Sequence, residues 1–212
     1  METTEGEPQP SEPEPRIIGL TGGIGSGKTT AARYIEEAGF PVYYSDGRAK
    51  EIVNENEILK QQIRKLLGSD AYDAEGLYNK KNVAEKVFSD PSQLQQLNNL
   101  IHPAVREDFE LWVQQQPSPF VFKETALLFE LGLEKECYRT ILVTAEDNLR
   151  IKRVMDRDGK TYRQIKSVME QQMSEKDKMK RADFIIHNNN GIDMLREETQ
   201  EVLHSLTVMA DD

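Results

Sequence analysis

A glycine-rich segment with a lysine at its end is the clearest chemical pattern in the chain. Residues 22–29 match G-x-x-x-x-G-K-[ST], the phosphate-binding P-loop. Glycines there let successive backbone N–H groups turn inward, and the following helix N-terminus adds positive potential. We expect Lys28 to contact the β- and γ-phosphates of a nucleoside triphosphate and the Thr29 hydroxyl to bind Mg²⁺. The expected binding residues are Gly22, Gly23, Ile24, Gly25, Ser26, Gly27, Lys28, Thr29 and Thr30.

A carboxylate that could accept a proton follows the second predicted strand. Asp46 stands 18 residues after Lys28, and phosphoryl transfer to a hydroxyl benefits from such a base. In the simplest arrangement the strands before Asp46 and before the P-loop are neighbours, which brings the carboxylate close to the phosphates. Position alone is equally compatible with an ordinary helix N-cap.

A basic segment stands out in this acidic chain. Residues 150–166 carry seven basic residues against Asp156 and Asp158, a local net charge of +5. This pattern indicates a local anionic ligand, and a solvated helix face is the alternative.

Five short apolar runs are predicted strands, at residues 17–20, 41–44, 120–122, 140–143 and 184–186. Helical patterns cover 29–38, 147–158, 162–173 and 192–206. Residues 47–116 are mainly helical, with a helix break expected at His102-Pro103. Alternating strands and helices predict an α/β fold, a parallel five-stranded sheet with helices on both faces. Ligands bind beyond the carboxyl ends of such strands, which places the P-loop, Asp46 and Glu124 along one edge.

The predicted organisation is one domain over residues 16–206 of the 212. Its core comprises 16–46, 118–148 and 182–206, with a helical insertion at about 47–117 and a helical lid at about 149–181. Residues 1–15 hold five glutamates, four prolines and no basic residue, so we expect a disordered acidic tail.

Composition excludes several classes of protein. The net charge of −10 argues against general binding to nucleic acid or anionic lipid. No run approaches the ~20 apolar residues of a membrane helix, and the first 15 residues hold no signal-peptide core. Cys137 is the only cysteine, which fits a reducing compartment and excludes an internal disulfide. We expect a cytoplasmic monomer.

The reaction class follows from what accompanies the P-loop. The guanine-reading pattern Asn-Lys-x-Asp of GTPases is absent from the sequence. A small chain with a helical insertion and a late basic segment is typical of a small-molecule kinase. There the insertion binds the acceptor, and lid arginines meet the transferring phosphoryl group.

With these residues assembled, the chain resembles the dephospho-CoA kinase family over about residues 16–206. The matching segments are IIGLTGGIGSGKTTAA, the pair Ser45-Asp46, GLYNKKNVAEKVFSDP, NLIHPAVR, ALLFE, RVMDRDG and ADFIIHNNNG. The resemblance implies ATP-dependent phosphorylation of the ribose 3′-hydroxyl of dephospho-CoA, which gives coenzyme A and ADP.

The resemblance also implies roles for single residues. Asp46 falls on the family's catalytic base and Arg157 on its lid arginine, with Arg153 a weaker candidate for a phosphate contact. The adenine of ATP is expected near the lid and the loop that begins at Asn188. Glu124 is a candidate for orienting Mg²⁺ through water.

Acceptor binding is expected in the insertion, where the chain departs from the family in places. His102 and Arg106 match a family pattern. His102 could serve structure or substrate, and Arg106 could pair with the substrate's pyrophosphate or with a neighbouring acid. Lys50 and Lys80 stand where the family has basic residues, Lys80 in place of a common arginine, and a lysine keeps the charge without the bidentate geometry.

Two rival functions are also compatible with the sequence. One is another small-molecule or nucleoside monophosphate kinase, against which the HP-x-V-R pattern argues. The other is a non-catalytic ATP-binding regulator, against which the joint presence of Lys28, Thr29, Asp46 and Arg157 argues.

Overall fold

The structure, a computed structural model, describes residues 14–211 of the chain. Residues 1–13, most of the predicted acidic tail, lie outside the described residues. The strands are β1 Arg16–Thr21, β2 Val42–Tyr44, β3 Phe120–Glu124, β4 Arg139–Thr144 and β5 Phe184–His187. The helices in that range are α1 Lys28–Glu37, α2 Ser45–Glu55, α3 Glu57–Leu67, α4 Lys80–Ser89, α5 Pro91–Val113, α6 Asp147–Asp158, α7 Tyr162–Gln171, α8 Glu175–Arg181 and α9 Ile192–Asp211.

All five predicted strands form, and they pair in parallel in the order β2-β3-β1-β4-β5. The predicted fold class is confirmed. The predicted adjacency of β1 and β2 is wrong, because β3 lies between them. Glu124 is in register with Leu20 on one side and with Tyr44 on the other. All five residues of β3 are buried, which suits a strand with neighbours on both sides and helices on both faces.

Alternate residues of the strands face two different helical layers. Ile18, Phe122 and Val143 are buried against α1 and α9, where Ile35 and Leu203 belong to the same core. Tyr43 and Lys123 face the other way. The Tyr43 ring and the Lys123 amine both pack against the ring of Phe109 in α5. The period of two along each strand thus gives the sheet its two covered faces.

Helices α2–α5, which we call the helical insertion, have a core of their own. Ile52, Ile63 and Leu97 from three of these helices are buried together. The predicted break at Pro103 is wrong, since α5 is continuous from Pro91 to Val113. Proline removes one backbone hydrogen bond from a helix. Apolar residues on both sides of Pro103 pack against the insertion core and hold the helix together: Leu100, Ile101, Ala104 and Val105.

The basic segment forms the α6–α7 hairpin. Thr161 caps α7 in a capping box with Gln164, as its spacing indicates. The predicted helix over 162–173 ends at Gln171, and the separate helix α8 begins after Ser174, whose side chain accepts from the Asp177 N–H. In the part of the chain described, no helix is long and apolar enough to cross a bilayer.

Candidate active site

The glycines of the P-loop are required by backbone angles and by close neighbours. Gly25 and Gly27 have φ of 78° and 99°, a region that favours glycine. A Cβ on Gly23 would lie 2.1 Å from Arg150 Nη2, and a Cβ on Gly27 would lie 2.1 Å from Asn188 Nδ2. Any side chain at these positions would therefore displace the residues that hold the loop.

The loop presents free backbone donors to the space above it. Within residues 14–211, the N–H groups of Gly25, Gly27, Lys28 and Thr29 have no hydrogen-bond acceptor. Such a row of donors at a helix N-terminus is a nest for phosphate oxygens. The Ile24 N–H, by contrast, is donated to Gln172 Oε1 at 3.0 Å. Ile24 lines the site, but its N–H is not free to bind phosphate.

Lys28 lies between two carboxylates at the carboxyl edge of the sheet. Its amine donates to Glu124 Oε1, and the same oxygen accepts from Thr29 Oγ1 at 3.3 Å. Asp46 Oδ2 is 4.0 Å from Lys28 Nζ. The Glu124 side chain is 5% exposed, whereas that of Asp46 is 56% exposed. Of these two acids, Asp46 is the one that an entering molecule can reach.

Asp46 is not the N-cap of α2. The helix begins at Ser45 with Tyr44 in the cap position, and no side chain caps its N–H groups. Asp46 lies in the first turn, where the helix dipole favours a negative charge. The N-cap alternative is therefore wrong, and the carboxylate makes no capping bond that would keep it from a substrate.

Asn188 supports the P-loop through a hydrogen bond to its backbone. It is 6% exposed, and its Nδ2 donates to the carbonyl of Ser26 at 2.8 Å. Arg153 Nη2 donates to the Asn188 carbonyl at 2.9 Å and to its Oδ1 at 3.3 Å. The Asn188 side chain thus holds the P-loop in place, and its role in binding ATP stays a prediction.

A cavity of about 440 Å³ lies over the P-loop. Besides residues 22–30, its lining comprises Asp46, Ala126, Arg153, Val154, Arg157, Val168 and Gln172. Arg157 lines this cavity but is paired with Asp158, at 2.7 Å from Nε and 2.9 Å from Nη2. The hydrogen bond with Asp158 raises the pKa of Arg157, and an arginine is in any case always charged in proteins.

The structure does not bring the four candidate acceptor residues into this cavity. Lys50 and Lys80 are exposed on α2 and α4. Arg106 pairs with Glu110 at 2.9 Å and with Glu136 at 3.3 Å, the neighbouring-acid alternative. His102 lies on the surface of α5, and desolvation by neighbouring protein lowers the pKa of its imidazole.

Sequence reasoning missed Gln172 and the support given by Arg150. The Arg150 side chain is 3% exposed, and its Nε donates to the Ile24 carbonyl at 3.0 Å. The basic segment included Arg150 as one charge among seven. Nothing in the local sequence marks Gln172, because its partner lies 148 residues earlier.

The chain is similar to known proteins over most of its length. Residues 16–194 match the family model described as dephospho-CoA kinase. A dephospho-CoA kinase of Chlorobaculum tepidum is 37% identical over 204 residues, which cover 93% of this chain and 98% of the relative. One of Idiomarina loihiensis is 33% identical over 186 residues, covering 88% and 92%.

Solved structures give the same result at the level of the fold. A crystal structure from Thermus thermophilus has a TM-score of 0.81 at 34% identity, covering 92% of this chain and 99% of that one. The dephospho-CoA kinase from Campylobacter jejuni has a TM-score of 0.62 at 25% identity, covering 91% and 98%. The shikimate kinase from Bacteroides thetaiotaomicron, with a TM-score of 0.53 at 13% identity and coverage of 91% and 98%, shares the fold alone.

Proposed function

Because the chain belongs to the dephospho-CoA kinase family and phosphorylates dephospho-CoA in coenzyme A synthesis, we propose that it does so in the P-loop cavity with Asp46 as general base. The observation that carries the proposal is the exposed Asp46 carboxylate, 4.0 Å from Lys28 Nζ in the same cavity as the free P-loop donors. A reachable base and a phosphate nest in one cavity are what phosphoryl transfer to a hydroxyl requires.

The proposed step transfers the γ-phosphoryl group of ATP to the ribose 3′-oxygen of dephospho-CoA. The bond from the γ-phosphorus to the β,γ-bridging oxygen breaks, and ADP leaves with that oxygen. A bond forms between the γ-phosphorus and the 3′-oxygen, and the hydroxyl proton passes to an Asp46 carboxylate oxygen. Lys28 and the free N–H groups of residues 25 and 27–29 stabilise the charge on the phosphate oxygens.

The residues beside Lys28 fit Mg²⁺. The Thr29 hydroxyl and the Glu124 carboxylate lie 3.3 Å apart. Among the described residues there is no cluster of three or more His, Cys, Asp or Glu that could hold a metal ion. Mg²⁺ typically keeps several waters and shares its sites with substrate phosphates. In our proposal Thr29 would hold the ion directly and Glu124 would hold it through water. The ion supplies charge neutralisation on the triphosphate.

The acceptor side is proposed to involve the helical insertion. Lys50, Lys80, His102 and Arg106 remain candidates for its contacts, and Arg106 would have to leave Glu110 and Glu136 to contribute. We also propose that the protein is a cytoplasmic monomer. The net charge of −10 supports the further proposal that it binds neither nucleic acid nor membrane.

An acceptor panel tests the function. ADP release is measured with Mg·ATP and dephospho-CoA, and in parallel with adenosine, AMP and shikimate. We expect turnover with dephospho-CoA alone and the new phosphate on the 3′-oxygen. Turnover on AMP or shikimate would identify a different kinase, and ATP binding without turnover on any acceptor would identify a regulator.

Arg157 is proposed to act as the lid arginine. It lines the cavity and is 66% exposed, so exchanging Asp158 for a phosphate oxygen costs little when the lid closes. We expect Arg157→Met to lower kcat about 10- to 100-fold, less than the ~10²–10³ typical of a buried donor. Steady-state kinetics at saturating substrates measure the effect.

Arg163 supplies a matched control for this prediction. It is an exposed arginine of α7 outside the cavity lining, so Arg163→Met removes the same charge from the same hairpin. Equal kcat in the two variants would remove Arg157 from the mechanism.

A further inference from the structure

The peptide groups of Ile24 are held by residues from both ends of the α6–α7 hairpin. Its N–H donates to Gln172 Oε1 at 3.0 Å, directly after α7. Its carbonyl accepts from Arg150 Nε at 3.0 Å, from the first turns of α6. The Ile24 side chain packs into the core of the hairpin, formed by Ile151, Val154, Ile165 and Met169.

Arg150 is fixed in this position by its own partners. Its Nη1 pairs with Glu175 Oε1 at 3.0 Å, and Glu175 Oε2 accepts from Thr144 Oγ1 at 2.6 Å. A Cβ on Gly25 would lie 2.4 Å from the Arg150 carbonyl. Helix α6 therefore packs directly on the P-loop, and the buried arginine cannot shift without moving α8 or the loop.

Gln172 is likewise held at a tied-down end of the hairpin. The N–H of the next residue, Met173, donates to Glu130 Oε1 at 2.9 Å. The same Glu130 oxygen lies 3.0 Å from the amine of Lys178, a residue with no exposed surface. The segment after α7 is thus attached to the core, which holds Gln172 beside the P-loop.

We propose that Gln172 and Arg150 are positioning residues that couple the α6–α7 hairpin to the P-loop through Ile24 and thereby set the affinity for the ATP phosphates. The proposal rests on the proposed function of the cavity as the ATP site. A loop of glycines restrains itself weakly, because each has access to many backbone conformations. Donors bind an anion best when they are held in place beforehand. Ile24 immediately precedes the free donors of Gly25 and residues 27–29, so holding it restricts the whole nest.

The test compares two adjacent glutamines. Gln172→Leu removes the acceptor for Ile24, whereas Gln171→Leu changes an exposed side chain and is the matched control. Three quantities are measured on the full chain: hydrogen exchange of the Ile24 amide, the Kd of Mg·ATP, and the KM of dephospho-CoA. We expect Gln172→Leu alone to speed Ile24 exchange and to raise the Kd of Mg·ATP about 3- to 10-fold, the scale of one hydrogen bond. The KM of dephospho-CoA should not change.

Each other outcome overturns the proposal. Faster Ile24 exchange with an unchanged Kd would show that the bond only shapes the loop, and unchanged exchange would show that Gln172 does not hold Ile24. If wild-type protein fails to bind Mg·ATP, the proposed function fails first, and the coupling with it. If Gln172→Leu unfolds, the second variant is Arg150→Lys. Lysine keeps the positive charge but lacks the planar guanidinium group with its several N–H donors. This variant should raise the Kd in the same direction.

Discussion

Asp46→Asn should lower kcat by about 10²–10⁴, the usual scale for loss of a general base, while the Kd of Mg·ATP stays within a few-fold. Asparagine has nearly the same shape but cannot take the proton of the acceptor hydroxyl. The change should leave the fold intact, because the Asp46 side chain is 56% exposed and makes no capping bond. Single-turnover kinetics with dephospho-CoA, together with ATP titration, measure both quantities.

Glu124 provides the contrast for this prediction. Its carboxylate is buried and bonded to Lys28 and Thr29, so Glu124→Gln should disturb ATP and metal binding as well as turnover. A variant that lowers kcat and leaves substrate affinity unchanged has lost an interaction made only in the transition state. If Asp46→Asn turned over at the wild-type rate, Asp46 would have no part in the step. Glu124 would then be the carboxylate to test as base.

Local features of the fold were predictable because local sequence determines them. Each buried strand is a short apolar run next to turn residues, and the P-loop glycines are set by the backbone of the loop itself. The capping box of Thr161 and Gln164 needs only residues three apart. These features depend on interactions within a few residues, which spacing and residue type reveal directly.

The errors concern contacts between distant parts of the chain. The position of β3 between β1 and β2 depends on pairing of residues 120–124 with strands about 80 to 100 residues earlier. Pro103 stays inside α5 because of packing against α2, α3 and α4, which its immediate neighbours do not indicate. The tertiary structure overrides the local preference for a break.

The same distinction between local motifs and long-range contacts applies to the site. Lys28, Thr29 and Asp46 belong to short motifs at strand ends, and the structure brings them together. The supports of the loop could not be predicted, since Asn188 and Gln172 meet it from 162 and 148 residues away. The family resemblance places the Asn188 loop near ATP but does not indicate its bond to the P-loop. A glutamine at a helix end has no local pattern that distinguishes it from a solvent-facing residue.

Lys28→Met should affect binding and turnover together. The amine lies between two carboxylates, bonded to Glu124 and 4.0 Å from Asp46. Its side chain is only 11% exposed, so solvent screens its charge little. Without it, the triphosphate meets two acids that no longer have a cation between them. We expect the Kd of Mg·ATP to rise about 10- to 100-fold, and kcat at saturating ATP to fall about 10²–10³-fold, as for loss of a preorganised charge partner.

Lys65→Met is the matched control, since Lys65 is an exposed lysine of α3 and its loss changes the net charge equally. Far-ultraviolet circular dichroism establishes that both variants fold. The two measured quantities separate two roles of Lys28, because an interaction made equally in ground state and transition state affects KM alone. A higher Kd of Mg·ATP with an unchanged kcat would mean that Lys28 only binds ATP. The charge that develops on the transferring phosphoryl group would then have to be stabilised by Arg157 and the free N–H groups of the loop.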